Sequence, residues 1–321
     1  MDEREIIEVE DRCMAGTYSK RPVAIAKGRA STVWDVNGRE YIDCMGSYGV
    51  CIVGHCHPRV VKAIKQQAEK LISCHCSLYN DARSKFLQKI VDVTPKALNK
   101  VFLSNSGTEA IEAAIKIARK HTGKHEIIAF MGGFHGKTFG SLSATWSKRY
   151  RLPFEPLVPG FKHVPYGRPE RVREALTAET AAVLVEPIQG EGGVRVPPES
   201  FLGELREICD EEGVLLICDE VQTGFGRTGR LFASEHFNVV PDIMCLAKAV
   251  AGGVPMGVTV AREEVMASLR LGDHSSTFGG NPIACAAASA AVDVVVEERL
   301  YEKAAELGEY FITVSYTHLR A

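Results

Sequence analysis

The sequence predicts an α/β fold with a mostly parallel sheet covered by helices, and two features carry that prediction. From about Ser47 onward, short β-rich runs such as EIIAF, AAVLVEP, VLLICDE and DIMCLA alternate with amphipathic stretches such as FLGELREICDEEG. Alternation of this kind needs crossover connections, which leave neighbouring strands parallel and place helices on the sheet faces. The polar segments SNSG, EPIQ, DEVQ and AK also fall at the carboxyl ends of such runs, where open α/β sheets bind their ligands. Composition agrees: 321 residues, 45% hydrophobic and 24% charged, suffice for more than one domain and are ordinary for a soluble globular chain.

In chain order, the acidic start MDEREIIEVEDR lacks the basic start and apolar core of a signal peptide. No run approaches the apolar length that crosses a membrane, and ten cysteines scattered through apolar segments read as reduced core residues. The expected location is therefore the cytoplasm. Up to about Cys44, the turn signal Val36-Asn37-Gly38-Arg39 separates two short apolar runs and predicts a β-hairpin. Val101 to Ser104 reads as a strand, followed by a helix with apolar residues at helical spacing from about Ala110. RLPFEPLVPG reads as a surface loop, and FLGELREICDEEG as a helix closed by Gly213. The expected division is an N-terminal segment with the hairpin (1–46), a large domain (47–297) and the start of a small C-terminal domain (298–321).

Asp219 ends the run VLLICDEVQTG, and Lys248 lies 29 residues later in the apolar setting MCLAKAVAGG. That separation takes one strand end through a loop to the next. Pyridoxal phosphate needs a lysine amine to condense with its aldehyde and a carboxylate to keep its pyridine nitrogen protonated. Singly, an Asp after a strand is often a turn residue and a lysine is usually solvated. A third segment supplies the missing part: Ser106, Gly107 and Thr108 begin a helix, where hydroxyls, backbone N–H groups and the helix dipole receive a phosphate.

Other motif readings are weaker. GGFHGKT fails as a phosphate-binding loop of the form GxxxxGK[ST] because position 131 is Met131. Gly224, Gly226 and Gly229 satisfy GxGxxG, but no glycine-initiated long helix follows. The triplets His55-Cys56-His57 and Cys74-His75-Cys76 match no common zinc spacing, since adjacent ligands cannot readily converge on one tetrahedral ion. No metal is expected. A formal net charge of −2 lacks the basic excess of a nucleic-acid binder.

From about Tyr18 to Phe311 the chain resembles the class III, ornithine/acetylornithine-like aminotransferases of pyridoxal-phosphate fold type I. The resemblance rests on GHCHP, SNSGTEA, GGFHGKT, VEPIQGEGG, DEVQTGFGRTG, AKAVAGG and STFGGNP. It implies that Lys248 is the Schiff-base lysine, Asp219 the pyridinium partner and Gln222 a hydrogen-bond partner of the cofactor's phenolic oxygen. Phe134 would stack on the ring with His135 beside it. Thr277 is similar to the threonine that reaches the phosphate of a neighbouring subunit, which implies a homodimer with shared sites. The implied reaction has two halves: an amine donor leaves as an aldehyde, then a 2-oxo acid such as 2-oxoglutarate regenerates the cofactor, with ping-pong kinetics.

For the substrate, the resemblance makes Glu191 a gate paired with a C-terminal arginine, Glu186 a second acid near the cofactor, and Tyr18 and Tyr48 channel residues. Overall the pattern is similar to enzymes acting on the terminal amine of acetylornithine, or of lysine or ornithine joined to an acidic amino-group carrier protein, in arginine and lysine biosynthesis. Where many of those enzymes carry FHGRT, this chain has Lys137, which keeps the charge but loses the bidentate fork. Ornithine, putrescine and 4-aminobutyrate are the alternative donors, and a fragment that only binds cofactor is the alternative to an enzyme. After AAELGEYFI the chain leaves the family pattern with TVSYTHLRA, so the expectation is a C-terminally truncated sequence with a foreign tail.

Overall fold

A computed structural model describes residues 1–319; Arg320 and Ala321, the end of the tail expected to be foreign, lie outside the described residues. The strands are β1 (Ile25–Arg29), β2 (Thr32–Asp35), β3 (Glu40–Ile42), β4 (Lys100–Ser104), β5 (Glu126–Phe130), β6 (Phe161–Val164), β7 (Thr180–Val185), β8 (Leu215–Asp219), β9 (Ile243–Leu246) and β10 (Gly257–Ala261). β1, β2 and β3 form an antiparallel meander. Its second turn is the expected hairpin. Asp35 closes it by accepting the backbone N–H groups of Asn37 and Arg39, both at 2.9 Å, as an Asp preceding a turn does.

The remaining strands form one sheet in the order β4-β10-β9-β8-β7-β5-β6. β5 through β9 pair in parallel, and β10 runs antiparallel to both β4 and β9. β6 and β10 were not evident in the sequence: FKHV carries two polar residues, and GVTVA follows a loop rich in glycine. Their strand state comes from the neighbours they pair with rather than from local pattern.

β7 and β9 are buried along their whole length, as parallel strands covered on both faces must be. Successive residues of β8 serve opposite cores: Ile217 joins Ile111, Ala114 and Leu184 under the helix Gly107–Thr122, whereas Leu216 and Cys218 join Leu202 and Leu205 of the helix Phe201–Glu212. Each such buried aliphatic side chain contributes roughly 1.5–3 kcal/mol. Leu184→Ala, on the fully buried strand β7, would cost about 2–5 kcal/mol. Near β4 and β10 the core is closed by the helices Asp81–Val93 and Pro282–Glu297, through Phe86, Ile90, Ala284 and Ala288.

The helix after β4 begins at Gly107, earlier than the apolar spacing indicated, because Ser106 caps it. Ser106 Oγ donates to Glu109 Oε2 at 2.9 Å and accepts the Glu109 N–H at 3.4 Å, and Gly123 ends the helix at φ 71°. The GxGxxG spacing has a different use from dinucleotide binding. Gly226 and Gly229 adopt φ of 92° and 93°, and a Cβ on them would meet Tyr301 at 3.1 Å and Ala305 at 3.0 Å. These glycines let a turn lie flat on the last described helix, Leu300–Leu319. Among the described residues, no helix is long and apolar enough to cross a membrane.

Candidate active site

Because β5, β7, β8 and β9 are parallel, their carboxyl ends share one edge of the sheet, and β4 brings Ser104 to the same edge opposite Gly257 at the start of β10. A cavity of about 1460 Å³ opens there. Tyr48, Ser106, Gly107, Thr108, Phe134, His135, Lys137, Glu186, Glu191, Asp219, Gln222 and Lys248 all line it. Tyr18 and Thr277 do not. Both are exposed on the surface of the chain, Tyr18 at 72%, so the channel position expected for Tyr18 is not formed within one chain.

Asp219, the last residue of β8, is 4% exposed. Its Oδ1 accepts the Val221 N–H at 3.0 Å, and its Oδ2 lies 2.7 Å from Nδ1 of buried His135. His135 is itself fixed by its backbone N–H, which donates to Thr145 Oγ1 at 2.9 Å. Burial pushes the imidazole pKa down, but the hydrogen bond and charge of Asp219, with the charge of Glu186, outweigh it and leave the pKa raised. The pairing therefore favours a charged imidazolium beside Asp219.

Glu186 follows β7 and accepts the Phe134 N–H at 2.9 Å and the Gly190 N–H at 3.1 Å. Burial raises its pKa to about 7, with the Asp219 charge acting the same way and His135 against it. Lys248, just after β9, sits in the left-handed region at φ 39°, a costly conformation for a non-glycine residue that local packing must hold. Its Nζ donates to Gln222 Oε1. Burial lowers the Lys248 pKa against the opposing pull of Asp219, Glu186 and Glu191, so the amine loses its proton more easily than a solvated lysine.

At the start of the helix Gly107–Thr122, Thr108 Oγ1 lies 2.8 Å from Thr138 Oγ1 and 2.6 Å from Ser141 Oγ. Glu112 Oε1 accepts Thr138 Oγ1–H at 2.5 Å and the Ser141 N–H at 3.0 Å. The rim has another character. Exposed Lys137 places Nζ 4.7 Å from the Tyr150 ring centroid and 5.9 Å from that of Phe134. Tyr150 donates its hydroxyl to Glu191 Oε1 at 2.7 Å.

Tyr150, Asn105 and the segment Gly253–Met256 also line the cavity, and none was a candidate from sequence. Tyr150 lies on the short helix Lys148–Arg151 beside the expected surface loop, and no local pattern marks its reach to Glu191. Glu220 has a positioning place: fully buried, it accepts the N–H groups of Ala233 at 3.0 Å and Ser234 at 2.8 Å and the hydroxyl of Thr223. It thereby ties down the loop that carries Gln222. In the two Cys/His triplets, His55 Nε2 is bonded to Asp43 at 2.7 Å and His75 Nδ1 to Ser77 at 2.9 Å. Among the described residues, no three His, Cys, Asp or Glu side chains gather as a metal site.

One cavity thus joins a buried carboxylate held by an imidazole, a half-buried amine of lowered basicity and a helix N-terminus bearing hydroxyls. That donor set fits the pyridine nitrogen, aldehyde and phosphate of pyridoxal phosphate. Fold and site together define a pyridoxal-phosphate enzyme of fold type I. The aminotransferase class-III family matches residues 13–315, and the chain belongs to it. It is 56% identical over 309 residues to the acetylornithine aminotransferase of Methanopyrus kandleri, covering 96% of this chain and 79% of that protein. It is 47% identical to the [LysW]-aminoadipate semialdehyde transaminase of Deinococcus radiodurans, over 95% of this chain and 72% of that one. Among solved structures, the ornithine aminotransferase of Toxoplasma gondii superposes with a TM-score of 0.93 at 38% identity, covering 97% of this chain and 76% of that chain.

Proposed function

We propose that this transaminase moves the terminal amine of an N-blocked ornithine or lysine to a 2-oxo acid such as 2-oxoglutarate, as a step of arginine or lysine biosynthesis in the cytoplasm. The donor is acetylornithine or an amino acid linked to an acidic carrier protein. The names of the relatives support this. The structural observation that carries it is a division within the cavity. A reactive amine, Lys248, is half-buried, while an exposed cation, Lys137, stands over two aromatic rings with Glu191 tethered nearby. A long donor with an amine at one end and a carboxylate at the other suits that division.

When bound, the cofactor supplies an aldehyde for amine exchange and a ring that withdraws electrons. Ser106, Gly107 and Thr108 would hold its phosphate, Asp219 its pyridine nitrogen and Gln222 its phenolic oxygen, with Phe134 against the ring. Asp219, held by His135 and by the Val221 N–H, would face the pyridine nitrogen and favour a proton on it. Lys248 would move a proton to and from the donor's reacting carbon through Nζ. Its lowered basicity places its proton exchange nearer neutral pH. We further propose that Thr277, which lies outside its own cavity, serves the phosphate of a second copy, so that the active form is at least a homodimer. The domain limits 1–46, 47–297 and 298–321 belong to the same proposal.

A donor panel of acetylornithine, carrier-linked lysine or ornithine, free ornithine, 4-aminobutyrate and putrescine, each with 2-oxoglutarate, tests the substrate. The blocked donors should give the highest kcat/KM. A clear win for putrescine or 4-aminobutyrate overturns the biosynthetic reading and leaves Lys248, Asp219 and Gln222 in place.

A further inference from the structure

Outside the groups that chemistry at Lys248 uses, one nucleophile stands in an ordered relay. Cys51 Sγ lies 3.6 Å from Nδ1 of His55, and Nε2 of the same ring lies 2.7 Å from Asp43 Oδ2. The other carboxylate oxygen of Asp43 accepts the N–H groups of Met45 at 2.9 Å and Gly46 at 3.0 Å. The hydrogen bond from His55, with these two backbone bonds, holds the Asp43 pKa below the usual carboxylate range against a modest opposing burial. An ionised Asp43 can only accept, so it orients the neutral ring with its proton on Nε2 and its Nδ1 lone pair toward the thiol. The ring is held in place from behind as well. His55 exchanges two backbone hydrogen bonds with Ala30, at 3.0 and 2.8 Å, and a Cβ on Gly28 of β1 would come within 2.9 Å of the imidazole.

We propose that Cys51 is an activated thiol, a modification site for small disulfides, and that its adduct acts on the cofactor site. The thiol proton passes to His55 Nδ1, and the thiolate attacks one sulfur of the disulfide. A new S–S bond forms at Cys51, the original S–S bond breaks, and the departing thiolate takes the proton from His55.

Cys51 closes the turn Met45–Cys51, its N–H donating to Gly46 O at 2.9 Å. The same turn carries Tyr48, Gly49 and Val50 into the cavity. Gly49, at φ 87°, has no room for even a Cβ against Gln222 Nε2, and Gln222 accepts from Lys248. A bulky group on Cys51 therefore pushes a turn that is in van der Waals contact with the partner of Lys248. This second part rests on the proposed role of Lys248 and Gln222 toward the cofactor; the thiol chemistry does not.

The test uses the full chain loaded with cofactor. Brief labelling with iodoacetamide at neutral pH, read by peptide mass spectrometry, should modify Cys51 about tenfold faster than exposed Cys13, despite its lower exposure. Asp43→Asn and His55→Gln should each bring Cys51 down to the Cys13 rate without changing Cys13. Equal rates in the parent, or unchanged rates in a folded Asp43→Asn variant, overturn the activated thiol. Oxidised glutathione should then form a mixed disulfide at Cys51 and change the visible absorbance of the bound cofactor, both reversed by dithiothreitol. Cys51→Ser should keep the absorbance and its turnover in the presence of oxidised glutathione. An adduct that forms at Cys51 and leaves the absorbance unchanged overturns the coupling to the cofactor site, while the labelling result stands apart from any assignment of Lys248.

Discussion

Two parts of one cavity differ in how their side chains are held. At its deep end, Asp219 and His135 are each 4% exposed and bonded to each other at 2.7 Å, and Glu186, at 6% exposed, takes two backbone N–H groups. At the rim, Lys137 and Glu191 are exposed, and their partners are ring faces and a phenol rather than buried polar groups. In the buried part a lost partner leaves a desolvated charge, which costs several kcal/mol. At the rim, water replaces what is lost and single contacts carry about 1 kcal/mol or less. Replacements in the deep part should therefore destroy the reaction, and replacements at the rim should retune which donor is used.

The largest effect is expected for Lys248→Ala. Transamination should fall below detection while cofactor still binds measurably, because Asp219 and the helix N-terminus remain; substantial turnover would contradict the role of Lys248. Asp219→Asn keeps the shape and removes the charge, and should cost about 10²–10⁴ in kcat. Stopped-flow half-reactions measure it, and near-normal turnover would move the pyridine partner elsewhere.

Glu186 sharpens the comparison through pH. Its pKa rises from 4.5 in the unfolded chain to about 7 when folded, so its contribution to stability is complete below pH 4.5 and is lost as pH climbs through 7. His135, raised above 6.5, loses its contribution in the same upward direction. Cofactor-free protein should thus melt at lower temperature at pH 8 than at pH 5. Glu186→Gln should remove up to about 3 kcal/mol of that difference. An unchanged slope in the variant would show that Glu186 is already ionised in the folded chain.

The rim effects are smaller. Lys137→Ala should raise KM for carboxylate-bearing donors by about tenfold and leave putrescine, which has no carboxylate, nearly unchanged. An equal loss for both would make Lys137 a packing residue. Tyr150→Phe removes one exposed hydrogen bond to Glu191. It should change KM for 2-oxoglutarate by about threefold or less, with kcat steady. A larger change in kcat would place Tyr150 nearer the reacting atoms than the rim.

How much could be read without coordinates follows the same division. The ends of β4, β8 and β9 were legible because apolar runs stop at polar residues there, and Ser106, Asp219 and Lys248 stand at or just beyond those stops. The hairpin at Asn37-Gly38 was legible from turn chemistry alone. β6 and β10 were not, since each is a strand by virtue of its neighbours. Tyr150 was hidden because its contact with Glu191 joins positions far apart in the chain, and the glycines of GFGRTG, rejected as a dinucleotide fingerprint for want of a following long helix, gain a use only from Tyr301 and Ala305 packed against them.

By itself the sequence determined the alternation of strands and helices, the residues at the strand ends and, with them, the cofactor class, because hydrophobic period and strand termination are local properties of the chain. The tertiary structure alone decided that His135 holds Asp219, that burial pushes the Glu186 pKa up, that Tyr18 and Thr277 stand outside their own cavity, and that Cys51 meets His55 and Asp43. Each of these depends on burial and on distances between segments remote in sequence, and electrostatics in a low-dielectric interior is set by those distances rather than by residue identity.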